Sequence, residues 1–108
     1  MNFAEWNDEM ATLARRWKAW PVVPFPSGCA GLNLNGVELV LINSYIANLL
    51  RSAVERRPLG LSAADQLEQA QHELTAVLPM IPAHGRPYFE ELVGMAGLAV
   101  RLGRAAAT

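Results

Sequence analysis

Residues 21–34 read PVVPFPSGCAGLNL, a proline- and glycine-broken stretch without a charged residue, here called the strap. A helix-start signature lies on each side of it, because Asn2 stands three residues before Glu5 and Asn35 stands three residues before Glu38. In such a capping box the Asn side chain accepts a hydrogen bond from an early helical N–H, and the Glu side chain accepts one from the backbone N–H of the cap residue. The pattern predicts two helices joined by a long apolar connection.

Apolar residues at helical spacing predict four helices, and proline or glycine residues mark most of their ends. The predicted helices span residues 3–19, 36–57, 62–81 and 87–103. Ser62 is the expected cap of the third helix, and residues 104–108 are expected to fray. Short joints make the last three helices antiparallel neighbours. We therefore predict one all-α domain over residues 1–108, a four-helix bundle with the strap between its first two helices.

The composition predicts more apolar surface than the core of a small domain can bury. Of the 108 residues, 52% are hydrophobic and only 18% are charged. A small domain has a large surface relative to its volume, so apolar residues remain after its core is filled. We expect this surface to serve a homodimer or a larger protein partner, with a small apolar ligand as the alternative. The competing interpretation is that alanine, which buries little area, inflates the hydrophobic count.

Charge and cysteine content exclude several classes of protein. The net charge is −1 and no cationic stripe is visible, which argues against binding to nucleic acid. The single cysteine, Cys29, forms no intrachain disulfide and cannot build a cysteine-based zinc site. The longest uncharged apolar helical stretch, residues 39–50, is too short to span a membrane. The N-terminus lacks the basic, apolar character of a signal peptide, so a cytoplasmic protein is expected. The sequence has no phosphate loop, dinucleotide fingerprint or zinc ligand set, so no cofactor is expected.

Three side chains have types that can carry chemistry, but each lacks partners in the sequence. Cys29 needs a paired base to act as a nucleophile, and His84 is the better of two histidines for that role. A free cysteine is, however, more often a small buried hydrophobic residue. His72 follows Glu68 by one helical turn, which is typical of ordinary helix surfaces, and a metal site needs more ligands. We predict no catalytic residue and no metal site.

The fourth helix carries the predicted interface. Glu90, Gly94, Gly97 and Arg101 form a narrow strip along it. Each mid-helix glycine costs on the order of 1 kcal/mol relative to alanine, and close approach of another backbone would offset that cost. Glu90 and Arg101 could then form ion pairs across a two-fold axis. The leading hypothesis is a non-enzymatic interaction or regulatory module that acts through apolar helical surface and forms a homodimer.

The alternative hypothesis is a small-molecule-binding bundle, which could be an enzyme. Its pocket would lie beneath the strap and be lined by Trp17, Asn43 and Tyr45. Asn43 projects into an apolar arc of the second helix, and a buried Asn must form hydrogen bonds. We expect its partner to be the backbone of the strap. A large dry pocket with a few polar groups would favour this alternative.

Overall fold

Four helices dominate the computed structural model, which describes residues 1–56 and 58–107. A two-stranded antiparallel hairpin precedes the second helix, and short 3-10 turns flank the others. The elements are α1 (Phe3–Ala19), β1 (Asn33–Leu34), β2 (Val37–Glu38), α2 (Leu39–Glu55), α3 (Leu61–Val77) and α4 (Arg86–Ala106). The predicted all-α bundle of four helices is confirmed.

The first helix begins where the capping signature places it. Asn2 Oδ1 accepts a hydrogen bond from the Glu5 backbone N–H at 2.9 Å, which satisfies one unpaired helical donor. The Glu5 carboxylate accepts a hydrogen bond from the Asn2 side chain, whose Nδ2 donates to Oε1 at 2.7 Å, rather than from the predicted backbone N–H of Asn2. The boundaries of α1 match the predicted residues 3–19.

The second helix-start prediction is wrong, because Asn35 forms the hairpin turn. Asn35 and Gly36 have φ angles of 51° and 86°, and the strands pair Leu34 with Val37. A two-residue turn with positive φ at both central positions suits an Asn-Gly pair and matches the twist of the strands. The helix therefore begins at Leu39 rather than at residue 36 and ends at Glu55. Arg57, its predicted last residue, lies outside the described residues.

The predicted boundaries of the third helix are wrong at both ends. Gly60, not Ser62, is the N-cap residue of α3, and no side chain caps the helix. The helix ends at Val77, and a 3-10 turn follows over Leu78–Met80. Pro79 accounts for this change, since proline has no N–H with which to continue an α-helical ladder.

The fourth helix extends beyond its predicted end at residue 103. It continues to Ala106, so most of the expected fraying tail is helical; Thr108 lies outside the described residues. Arg104 holds this last turn against α3, donating at 2.8 Å to Asp65 and also at 2.8 Å to Glu68. The hydrogen bond from Arg104 to Glu68 lowers the pKa of the Glu68 carboxyl group.

The fourth helix is the centre of the bundle and packs against the other three. Trp6 Nε1 donates to the Leu102 carbonyl oxygen at 3.0 Å, and Arg16 binds Glu91, so α1 runs antiparallel to α4. Much of α4 is inaccessible to solvent. Its buried residues are Phe89, Leu92, Met95, Ala96, Leu98, Ala99, Val100, Leu102 and Gly103.

The connection between α1 and α2 closes one end of the bundle, but it is only partly the buried strap that was predicted. Val22 is 82% exposed and Val23 is also exposed, whereas Phe25 packs against the core. The adjacent Trp20 is buried, and its ring centroid lies 4.1 Å from that of Tyr88 on α4. Aromatic packing at Phe25 and Trp20 therefore fixes the strap, while its valines face solvent.

Candidate interaction groove between α2 and α3

A groove of about 740 Å³ lies between α2 and α3, with the hairpin at one end. The two helices follow each other after a short joint and pack together, which makes them antiparallel. The groove therefore has one helix as each wall. It is lined by Gly36, Val37, Glu38, Leu41, Ile42, Tyr45, Asp65, Gln66, Gln69, Ala70 and Glu73.

The floor and one rim of the groove are apolar. Ile42 and Ala70 are buried at its base, and Leu41 and Tyr45 stand one helical turn apart on the α2 rim. Leu41 is 64% exposed and Tyr45 is 45% exposed. Apolar residues occupy most sides of α2, so those that do not face the core remain accessible. The groove thus presents two large apolar side chains to solvent.

The polar rim of the groove is acidic. Among the described residues that line it, none is Lys, Arg or His, while Glu38, Asp65 and Glu73 are carboxylates. Arg104 compensates Asp65 through an ion pair of 2.8 Å. Glu73 accepts a hydrogen bond from the neutral Gln69 at 3.2 Å. Within residues 1–56 and 58–107, neither Glu38 nor Glu73 forms an ion pair, so two carboxylates are uncompensated.

The predicted ligand-binding residues Trp17, Asn43 and Tyr45 do not line a common pocket. Tyr45 lines the groove, Trp17 is buried in the core, and Asn43 is half-buried beside α4. Asn43 Oδ1 accepts a hydrogen bond from the Tyr88 hydroxyl at 3.1 Å. The expected bond from Asn43 to the strap backbone is therefore wrong. Burial raises the pKa of the Tyr88 hydroxyl above its ordinary value.

The predicted interface strip lies beside a second groove of about 470 Å³, between α1, α3 and α4. A Cβ atom at Gly94 would lie 2.5 Å from Arg16 Nη2, and one at Gly97 would lie 2.7 Å from Gln71 Nε2. Side chains of the same chain therefore occupy the space in front of both glycines. Arg101 binds Glu9 at 2.9 Å, while Glu90 is exposed. Contact of this strip with another chain remains a prediction.

Within residues 1–56 and 58–107, the candidate nucleophile Cys29 forms no hydrogen bond with its candidate base His84. Cys29 is fully buried, and its Sγ would lie 3.0 Å from a Cβ atom placed at Gly85. His84 Nε2 instead donates to the Ser27 carbonyl oxygen at 2.8 Å, which links the strap to the start of α4. His72 is exposed, and the neighbouring Glu68 binds Arg104. Among residues 1–56 and 58–107, no group of three His, Cys, Asp or Glu side chains could hold a metal ion.

Sequence reasoning found only part of the groove. Tyr45 was singled out, but Leu41, Glu38 and Glu73 were not. The available signal was the apolar surface of α2, which extends beyond the width that one core face requires. The convergence of Glu38 with Glu73 depends on the pairing of α2 with α3 and is not visible in either segment alone.

Comparison with protein-family models, with curated proteins and with solved structures finds no match to this chain. The described part of the chain contains no helix with the length and apolarity needed to cross a membrane. The geometry and chemistry of the groove are therefore the basis of the functional proposal.

Proposed function

We propose that the protein is a small non-enzymatic interaction module of the cytoplasm that binds a protein partner through the α2/α3 groove. The observation that carries this proposal is the exposure of Leu41 and Tyr45 side by side above an apolar floor. Fully burying a large apolar side chain stabilises a complex by about 1.5–3 kcal/mol. Contiguous apolar surface with a polar rim is typical of interaction sites.

The proposal includes a homodimer formed through Glu90, Gly94, Gly97 and Arg101, and the solvent exposure of the charged residues at both ends of this strip supports it. The exposed Glu90 would pair with Arg101 of a second copy, and Arg101 would exchange its ion pair with Glu9 of its own chain for this contact. Light scattering should then show a dimer, and Glu90→Arg should weaken it because two bases would face each other. A wild-type protein that is monomeric at high concentration would rule out the homodimer but would not affect the groove hypothesis.

A small-molecule site is the alternative function, and the size of the groove supports it. About 740 Å³ falls within the range of about 300–1,000 Å³ that ligand pockets occupy. The polar side chains of the groove lie on its rim, however, whereas a ligand site usually places a few polar groups around an enclosed cavity. The residues Trp17 and Asn43, predicted to complete such a site, lie elsewhere. The open, two-walled shape therefore favours a protein segment.

A photo-crosslinking amino acid at position 45, introduced in the source cells, tests the proposal. We expect a protein adduct from position 45 and none from position 61, because Leu61 is exposed but does not line the groove. Native mass spectrometry of the unmodified protein from the same cells should show no retained small molecule. A retained small molecule that is lost on Leu41→Ser would support the alternative function. No adduct from position 45 would contradict the proposal.

A further inference from the structure

The walls of the groove determine what shape of segment it can accept. Residues 65–73 of α3 extend about 12 Å, or roughly two helical turns, along the groove. The backbone groups of both walls are hydrogen-bonded within their own helices, so they offer no pairing edge to an extended peptide. The two-residue β2 is too short to provide such an edge. A helix packed between two helices satisfies this geometry.

The uncompensated carboxylates determine the charge of that helix. Since α2 and α3 are antiparallel, the start of α2 lies beside the end of α3, which places Glu38 and Glu73 at the hairpin end of the groove. Leu41 and Tyr45 lie further along the same groove. A partner helix would be stabilised by Lys or Arg at the hairpin end, followed by apolar residues one turn apart. Glutamate or aspartate at that end would be repelled.

The same charges argue against a symmetric contact of this groove with the same groove of a second copy. A symmetric contact of one groove with another would bring both pairs of carboxylates together without a basic residue from either rim. Like charges placed face to face oppose association. The strip proposed for the homodimer lies on α4, away from this groove.

We infer, resting on the proposed function, that the groove binds an amphipathic helix with Lys or Arg next to its apolar anchors, carried by a different protein. The anchors repeat at positions i, i+3 or i+4, and i+7, so that they cover Leu41 and Tyr45 over two turns. The basic residues bind Glu38 and Glu73. The short contact length makes this a weak, exchangeable interaction.

Designed helical peptides test the inference on the purified protein. One peptide carries Leu at the anchor positions and Lys beside them, and its matched control carries Glu in place of Lys. Fluorescence anisotropy measures affinity, and NMR titration of the 15N-labelled protein locates the contact. We expect the Lys peptide to shift resonances of the groove and the Glu peptide to bind at least about tenfold more weakly.

Variants of the protein separate charge from apolar contact. The double variant Glu38→Gln, Glu73→Gln should weaken binding of the Lys peptide by about 3–10-fold at low salt, as expected for charge pairs with the exposed Glu73 and the half-buried Glu38. Asp8→Asn with Glu55→Gln is the matched control, because both residues are exposed and lie outside the groove. Leu41→Ser should weaken the binding of both peptides without unfolding the protein, since Leu41 is largely exposed.

Equal affinity for the two peptides, or equal weakening by the two double variants, would overturn the inference about charge while leaving the groove as an interaction site. Resonance shifts confined to another face would overturn the helix-in-groove inference. If, in addition, position 45 gives no adduct in cells, the proposed function itself fails. The two failures are therefore distinguishable.

Discussion

The hydroxyl of Tyr88 links α4 to α2, and its loss provides the first prediction. It donates to Asn43 Oδ1 at 3.1 Å while the ring packs against Trp20. Tyr88→Phe keeps the ring and leaves the half-buried Asn43 oxygen without its donor. We expect the free energy of unfolding to fall by about 1 kcal/mol, measured by urea denaturation.

Tyr45→Phe is the matched control for this loss. Tyr45 is exposed, and among the described residues its hydroxyl forms no hydrogen bond, so the change should stay within about 0.5 kcal/mol. Equal effects of the two variants would show that the Tyr88–Asn43 bond contributes nothing to stability.

The ion pair between Arg16 and Glu91 predicts a specific dependence of stability on pH. Arg16 Nε and Nη2 donate to the two Glu91 oxygens at 2.9 and 2.8 Å, and these bonds lower the pKa of Glu91 below its ordinary value of 4.5. A carboxyl group with a lowered folded-state pKa stabilises the fold above its unfolded-state pKa. That contribution is lost as the pH falls through the folded-state pKa.

Glu91→Gln should therefore lower the free energy of unfolding at pH 7 and not in strong acid. The side chains of Arg16 and Glu91 are 33% and 40% exposed, so screening limits the expected loss at pH 7 to about 0.5–1 kcal/mol. Urea denaturation at several pH values should show the difference from wild type shrinking below pH 4.5. A difference that stays constant into strong acid would mean that packing, not charge, is responsible.

Asn43 shows how far single residues could be understood from the sequence. Its place in an apolar arc of α2 correctly indicated a polar group that needs a partner. The partner, Tyr88, is distant in the chain and reaches Asn43 only because α2 and α4 start at the same end of the bundle. Periodicity predicts which face of a helix is apolar, but it does not determine which side chain of another helix meets that face.

The glycines of α4 have different neighbours, so substitution of each by alanine should affect the free energy of unfolding differently. A Cβ atom at Gly103 would lie 2.8 Å from the Leu59 carbonyl oxygen and 3.2 Å from Leu59 Cβ. The Leu59 backbone cannot move away without disturbing its neighbours. We therefore expect Gly103→Ala to lower the free energy of unfolding by about 1–3 kcal/mol, measured by urea denaturation, although alanine has the better helix propensity. The close backbone approach predicted at Gly94 and Gly97 is not found there, because side chains lie in front of both, whereas the Leu59 backbone does approach Gly103.

Gly94→Ala is the matched control, since its neighbour is the flexible end of Arg16. The gain in helix propensity from alanine, about 1 kcal/mol, should roughly offset the stability lost when the Arg16–Glu91 ion pair is disturbed, so the free energy of unfolding should change little. A larger loss of stability for Gly94→Ala than for Gly103→Ala would contradict this interpretation.

The hairpin explains why one helix start was predicted correctly and the other was not. Asn2 and Asn35 both precede a glutamate by three residues, but only Asn35 is followed by glycine. The Asn-Gly pair adopts two positive φ angles between Leu34 and Val37, a conformation that a helix cannot contain. Two local signals compete at this position, and the turn signal prevails because glycine and asparagine tolerate positive φ.

The long-range contacts of the bundle place two distinct features on different sides of it. The strap covers the end where α1 finishes and α4 begins, through Trp20, Phe25 and Tyr88. The groove runs along the outer side of α2 and α3, with the hairpin as the boundary between the two features. The hairpin, which stands where a helix start was predicted, therefore supplies one end of the site on which the proposed function depends.

The accessibility of Cys29 provides a test of how the strap is held on the bundle. Cys29 is fully buried, and His84 Nε2 binds the Ser27 carbonyl oxygen of the strap at 2.8 Å. A thiol reagent can reach Cys29 only through local opening, so labelling should be slow at neutral pH. His84→Ala removes about 1 kcal/mol from the closed form and should speed labelling roughly fivefold.

His72→Ala is the control for the labelling experiment, because His72 is exposed on α3 and should not change the rate. The direction of the His84→Ala effect separates the two roles that His84 could have. If His84 holds the strap against the bundle, it slows labelling of Cys29 in the wild type, and its removal accelerates the reaction. A base paired with a catalytic thiol activates the sulfur, so fast labelling that His84→Ala slows would overturn the non-enzymatic proposal and make the strap an active-site loop.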